Sequence, residues 1–343
     1  MRTARAKQED GTTGYYHCIS RVVDRQFVLG AQEKEQLVTL MRRYEAFCGV
    51  KVITYCVMSN HFHILVEVPK RPEKERLPSD AELVSLVRKA KDSYGSGTLQ
   101  QDLQRLRAEG AQGGVAAEAL RERFFCRMWD VSWFMRLIKQ RFTQWFNKGR
   151  NRTGTLWEDR FKSVLIEGVG NALGTMAIYI DLNPVRAGVV KDPGEYRWCG
   201  YTQAMAGVRA ARDGLAIVAA VVCGGHPPAA RRVMAEYRLQ LFGRGESRGL
   251  SEDGKPMRLG VSQKRIEQVL EKKGRLEKWE AVRCRVRYFS DGMILGSREF
   301  VERFFKNNRW RFGPNRQSGA RPIRYADFGE LFTMRDLQKM PIG

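Results

Sequence analysis

Only four histidines, at positions 17, 61, 63 and 226, occur in the 343 residues of this chain. Two of them stand one residue apart in "VMSNHFHILVEV", residues 57 to 68. The run is β-branched and alternating, so it reads as a strand, and on a strand residues i and i+2 project to the same side. His61 and His63 then share a face, while Phe62 and Ile64 point the other way, towards a packing partner. Two adjacent imidazoles form a two-toothed clamp for a divalent cation. The bland reading is a pair of structural histidines, and the pair alone does not choose between the two. Glu67 lies on the same face, as a further oxygen ligand or as a solvated strand end.

A clamp needs a third group, and an enzyme needs a nucleophile. Both candidates stand in "MAIYIDLNPVRAG" (176–188). Tyr179 and Asn183 are four apart, so a helix brings them to one face, one turn from each other. The amide carbonyl of Asn183 could ligate, and the Tyr179 phenol could face a substrate held by the same ion. A phenol titrates near pH 10 and attacks only where its surroundings favour the phenolate. The plain alternative is a core tyrosine followed by an asparagine that stops a helix before proline.

These groups need elements to hold them. "GYYHCISRV" (14–22) reads as a strand. Residues 31–48 carry Leu37, Leu40, Met41, Tyr44 and Phe47 at helical period. Strands at 51–59 and 61–68 meet in a turn at Ser59–Asn60. Helical periodicity returns at 79–93 and again at 131–148, and 160–167 is a strand. A last helix, 170–183, closes at Asn183–Pro184, because a residue before proline is pushed out of helical geometry. Between them, 95–130 looks like an insertion of two short helices joined at "GAQGG". The order of elements implies an α+β fold with a mostly antiparallel sheet over residues 1–205. The Gly, Pro and Ala mixture from 206 to 230 reads as the start of a linker, taken as 206–260. Residues 261–343 read as a small, basic, mostly helical domain of possible helix-turn-helix type, with helices at 262–273, 276–287 and in "GSREFVERFFKNN", and a last turn capped by Thr333.

Composition narrows the partner. Sixty Lys and Arg against 38 Asp and Glu give a net charge of +22 and a pI near 10.0. Such a field favours polyanions. With no clean basic amphipathic stretch, nucleic acid is favoured over a membrane surface. The start of the chain lacks the apolar stretch of a signal peptide, and no run is long and apolar enough to span a bilayer, so a cytoplasmic location is expected. Seven cysteines, odd in number and never in C-x-x-C spacing, read as reduced core thiols. Aromatics mixed with arginines, in "RFTQWFNKGRNR" and "GTLWEDRF", suit unpaired bases, which stack on rings while cations hold phosphates. Trp157, Arg160, Lys162 and Arg186 are the candidate DNA contacts.

"NHFHILVEV", "GTLWEDRFKSVLIE", "YIDLNPVRAGVV" and "YRWCGY" come in the order seen in the REP-associated tyrosine transposases, a family of HUH single-tyrosine transposases that residues 10 to 205 resemble. The resemblance implies a ferredoxin-like domain in which His61, His63 and Asn183 hold Mg2+ or Mn2+ and Tyr179 is the catalytic residue. It implies cleavage and rejoining of single-stranded DNA beside a hairpin through a 5′-phosphotyrosine. It leaves open whether the chain works as a monomer or a homodimer. The rival expectations are a non-catalytic DNA-binding protein derived from a transposase and an RNA-binding module.

Overall fold

The structure, a computed structural model, describes residues 5–9, 11–222, 233, 237, 238, 241, 278–283, 285–324 and 326–335. Its centre is a sheet built from β1 (Gly14–Arg21), β2 (Lys51–Val57), β3 (His61–Val68) and β4 (Lys162–Ile166), ordered β2-β3-β1-β4 and antiparallel at every junction. That order and the helical crossovers give the ferredoxin-like arrangement. The hairpin between β2 and β3 turns where Ser59–Asn60 was expected to turn it, with Met58 N–H donating to the His61 carbonyl at 2.8 Å.

Alternation along β3 sends Phe62, Ile64, Val66 and Val68 into one core and Leu65 into another. The first core is filled by α1 (Ala31–Cys48) and α5 (Val131–Gly149), whose Leu37, Met41, Phe134, Ile138 and Phe142 are buried. Each such side chain contributes about 1.5–3 kcal/mol on leaving water. Asp130 starts α5 by accepting from the Ser132 and Trp133 amides at 2.6 and 2.9 Å. Gly49 stops α1 at φ +61°, a left-handed position where a side chain is strained.

The insertion forms α3 (Ser96–Ala108) and α4 (Gly110–Phe125), which follow α2 (Asp80–Ala90) and pack on the same core. The joint falls at Gly110, φ +75°, the first glycine of the expected "GAQGG", while Gly113 and Gly114 continue into α4. Gly113 is needed there for close approach, since a Cβ would stand 2.0 Å from the Leu106 carbonyl oxygen.

The second core lies under α6 (Asn171–Asp181), α7 (Asn183–Arg186), α8 (Gly200–Met205) and α9 (Arg209–Val222). The helix expected to close at Asn183 ends at Asp181, and Pro184 then sits in the first turn of α7, where its missing N–H costs nothing. The stretch expected as linker opens with α9, because "LAIVAAVV" buries Leu215 and Val218 against that core. Most of 223–260, and the helical pattern at 262–273, lie outside the described residues, as does the turn after Thr333 beyond residue 335.

The described part of the basic C-terminal segment carries the expected helix, at Arg298–Asn307, capped by Ser297. It also extends the main sheet. β5 (Ile294–Gly296) runs parallel beside β4, followed by β7 (Phe332–Thr333) and β6 (Arg321–Pro322). This segment is therefore continuous with the sheet. No helix among the described residues is long and apolar enough to cross a membrane.

Candidate functional site

The strand pairing decides what stands around the histidines. On β1, Arg21 lies directly across from His61 and Ile19 across from His63, so His17 shares their face one pleat further along. His61 and His63 meet edge to face, centroids 5.1 Å apart. His63 is 5% exposed, and His61 is half-buried at the start of its strand. Sequence reasoning did not find His17. It is fully buried, its ring stacks on His63 at 5.0 Å, and its Nε2 lies 2.8 Å from His63 Nδ1. The signal was its place on a strand at the same parity as Ile19 and Arg21, but only the β1–β3 register connects it to His63.

Hydrogen bonds and charge set the protonation of both rings. Asn60 Nδ2 donates to the Arg25 carbonyl at 3.0 Å, which turns its Oδ1 towards His61 Nδ1, 2.6 Å away. Facing an acceptor, His61 carries its proton on Nδ1 and leaves Nε2 with a free lone pair. Burial holds His61 down to about 3, helped by Arg21, Arg186 and Arg285. Burial also lowers His17, to about 4, and holds His63 well below the ordinary imidazole range, with the neighbouring imidazoles and Arg186 adding to it. At neutral pH all three are uncharged, as metal ligation by imidazole requires.

Helix α6 is buried on every side, and it lies over the histidines' face of the sheet. Its height is set by Asp181, whose carboxylate receives the Thr54 hydroxyl of β2 at 2.7 Å, the Cys199 thiol at 3.1 Å and the Tyr237 hydroxyl. Burial raises that carboxyl to about 6 against those hydrogen bonds. Two residues earlier, the Tyr179 ring stands edge-on to His17 at 6.4 Å and to Phe289 at 5.0 Å. The Arg186 guanidinium lies 3.9 Å above the same ring and donates to the Tyr179 and Val282 carbonyls at 2.6 and 2.9 Å. Tyr179 is 3% exposed. Asn183, one turn on, is 9% exposed, and its amide nitrogen has no hydrogen-bond partner among the described residues. A half-turn of that amide would put an oxygen in the unsatisfied position.

Those features bear on a metal. Among the described residues no three His, Cys, Asp or Glu side chains gather to hold an ion. As donor types, two imidazole lone pairs and an amide oxygen suit a divalent cation that also takes phosphate oxygens. Glu67 is no part of it: four residues along the strand puts it about 13 Å from His63, where it pairs with Lys51 at 3.6 Å.

The candidate DNA contacts divide. Arg186 is in the site. Lys162 stands across from Ile19 on the histidines' face, exposed and paired with Asp291 at 2.7 Å. Arg160 is exposed beside a cavity of about 320 Å³ that Arg5 and Lys162 also line. Trp157 is 6% exposed and packs in the opposite core against Phe62 and Phe142, its indole N–H on the Lys139 carbonyl at 3.2 Å. A ring so enclosed presents no face to a base. Sequence reasoning also missed Arg21 and Arg285, which make the end of this face electropositive beside His61.

Residues 12–102 match the model of the family described as "Transposase IS200 like". The likeness to that family covers 91 of the 343 residues. The matched segment holds the histidine strand and ends before α6. The transposase resemblance read from the motifs is borne out there. Among solved structures, the chain is similar to a REP-associated tyrosine transposase bound to a REP hairpin, at 16% identity over 60% of this chain and 86% of that one, with a TM-score of 0.38. No curated protein matches the chain.

Proposed function

We propose that the chain is a REP-associated tyrosine transposase: a metal-dependent enzyme that cuts and rejoins single-stranded DNA beside a hairpin. Tyr179 is the nucleophile, and His61, His63 and Asn183 are the ligands. One observation carries the reading. Tyr179 covers the face of the sheet that bears both histidines, 6.4 Å from the ring that stacks on His63.

The Tyr179 oxygen attacks the scissile phosphorus. A phenol-oxygen–phosphorus bond forms and the bond to the 3′-oxygen breaks. The phenolic proton leaves to solvent, and the departing 3′-oxygen takes one up. The products are a 5′-phosphotyrosine and a 3′-hydroxyl, and reversal rejoins a strand without ATP because the ester keeps the phosphodiester energy. A bound Mg2+ or Mn2+ would polarise the phosphate and offset its charge. Arg21 and Lys162 supply cations on the same face for flanking phosphates. Since the phenol is 3% exposed under Arg186 and Phe289, the reading requires the Phe289 ring and the guanidinium to swing aside as substrate enters.

That burial favours one rival, a transposase-derived protein that binds DNA and does not cut it. Labelled hairpin DNA with Mn2+, resolved on a denaturing gel, separates the two. The enzyme forms a protein–DNA adduct that Tyr179→Phe loses while still binding the hairpin. The rival binds with or without metal and forms none, and an adduct surviving Tyr179→Phe contradicts the assignment of the nucleophile.

A further inference from the structure

We propose that His17 is a positioning residue that fixes which nitrogen of His63 is free to ligate, and that the C-terminal segment sets it through the Phe289 carbonyl. The proposal deepens the reading above and rests on His61 and His63 being ligands. The Phe289 oxygen lies 2.8 Å from His17 Nδ1, from a residue 272 positions along the chain. A carbonyl only accepts, so that nitrogen carries the proton. A neutral imidazole has one N–H, so His17 Nε2 is an acceptor. It faces His63 Nδ1 at 2.8 Å, which must then donate. His63 Nε2 is left bare, and no described residue hydrogen-bonds it.

The opposite assignment sets two lone pairs against each other at 2.8 Å, or puts an imidazolium in a fully buried position beside arginines. Either costs more than the observed order, because an unmade hydrogen bond or an unpaired charge is expensive away from water. His61 reaches the same state by a different donor path, through Asn60. Both rings are thereby left with an unprotonated Nε2 before any ion arrives. Outer partners of this kind typically govern metal affinity by about 10- to 100-fold. The arrangement also gives the C-terminal addition a role at the site: it orders His63 through His17.

The test uses the full-length, metal-free chain labelled with 15N-histidine, and Mn2+ alone as the probe. In the unmodified chain, His63 is expected as the Nδ1–H form. His17→Gln keeps an acceptor towards His63 and a donor towards Phe289, and should keep both the tautomer and Mn2+ affinity within about threefold. His17→Phe keeps the volume and stacking but offers no acceptor; His63 should lose its fixed tautomer and Mn2+ binding should weaken by about 10- to 100-fold. Unchanged tautomer and affinity in His17→Phe overturn the proposal, as does an equal loss in the Gln and Phe variants, which would assign His17 to packing. An Nε2–H signal for His63 in the unmodified chain overturns it without any variant. None of these readouts needs DNA cleavage, so an enzyme that forms no adduct leaves them intact.

Discussion

On one side of the sheet Phe62, Ile64 and Val66 meet Leu37, Met41, Phe134 and Phe142 of α1 and α5. On the other side Leu65 and Val164 share their space with His17, His63, Thr54, Asp181 and Asn183, all buried. The first face gains its stability mainly from hydrocarbon. The second buries titratable groups, and three of them have specific partners: His17 a carbonyl, His63 the His17 ring, Asp181 three donors. Buried polar groups need such pairing to be tolerated. The contrast separates a face of packed hydrocarbon from a face on which buried polar groups gather.

Substitutions on neighbouring residues of β3 should separate the two faces most sharply. His61→Ala should reduce DNA cleavage by at least about 100-fold while moving stability by less than about 1 kcal/mol, read by adduct yield and by denaturant unfolding. Cleavage at the unmodified rate would remove His61 from the site. Phe62→Ala, one residue on, should cost about 3–5 kcal/mol in unfolding free energy; a cost below about 1 kcal/mol would mean that the first face is not the stabilising one.

The insertion belongs to the hydrocarbon side, and its tightest point is Gly113. A Cβ there meets the Leu106 carbonyl oxygen at 2.0 Å, so Gly113→Ala should destabilise by about 1–3 kcal/mol and leave metal affinity unchanged. A loss of metal affinity would tie the insertion to the site.

The smallest effect concerns Lys139 of α5, beside Trp157. Burial, with Arg5 as the second cause, pulls its ammonium down to about 8 from 10.5. The unfolded chain keeps that proton to higher pH, so folding releases it. Stability should therefore rise between pH 8 and about 10.5, by no more than about 1 kcal/mol after solvent screening. Lys139→Met should flatten that slope in unfolding curves, and an unchanged slope would place the titration elsewhere.

Local pattern made most of this fold legible. The strands at 14–21, 51–57 and 61–68, the helix at 31–48 and the turn between β2 and β3 follow from alternation and period, which neighbouring residues alone determine. The same holds for the shared face of His61 and His63. What the sequence hid depends on contacts distant along the chain. His17 joins the site through the β1–β3 register, and Phe289 reaches it from the far end. Strands β5, β6 and β7 have two or three residues each, too few to show alternation. Trp157 looked like a stacking platform because arginines surround it in sequence, yet its strand bridge to Val22 turns it into the core. Gly110 supplied the joint of the insertion because a single left-handed residue suffices, and the remaining glycines were free to continue the helix.

Adduct mapping addresses the convergence of paired imidazoles and phenol most directly. The protein–DNA product formed with Mn2+ would be digested with protease and nuclease and weighed by mass spectrometry. The account predicts a nucleotide ester on the peptide containing Tyr179, absent when His61 is alanine. A nucleotide carried by another residue, or by Tyr179 at full yield without His61, would contradict it.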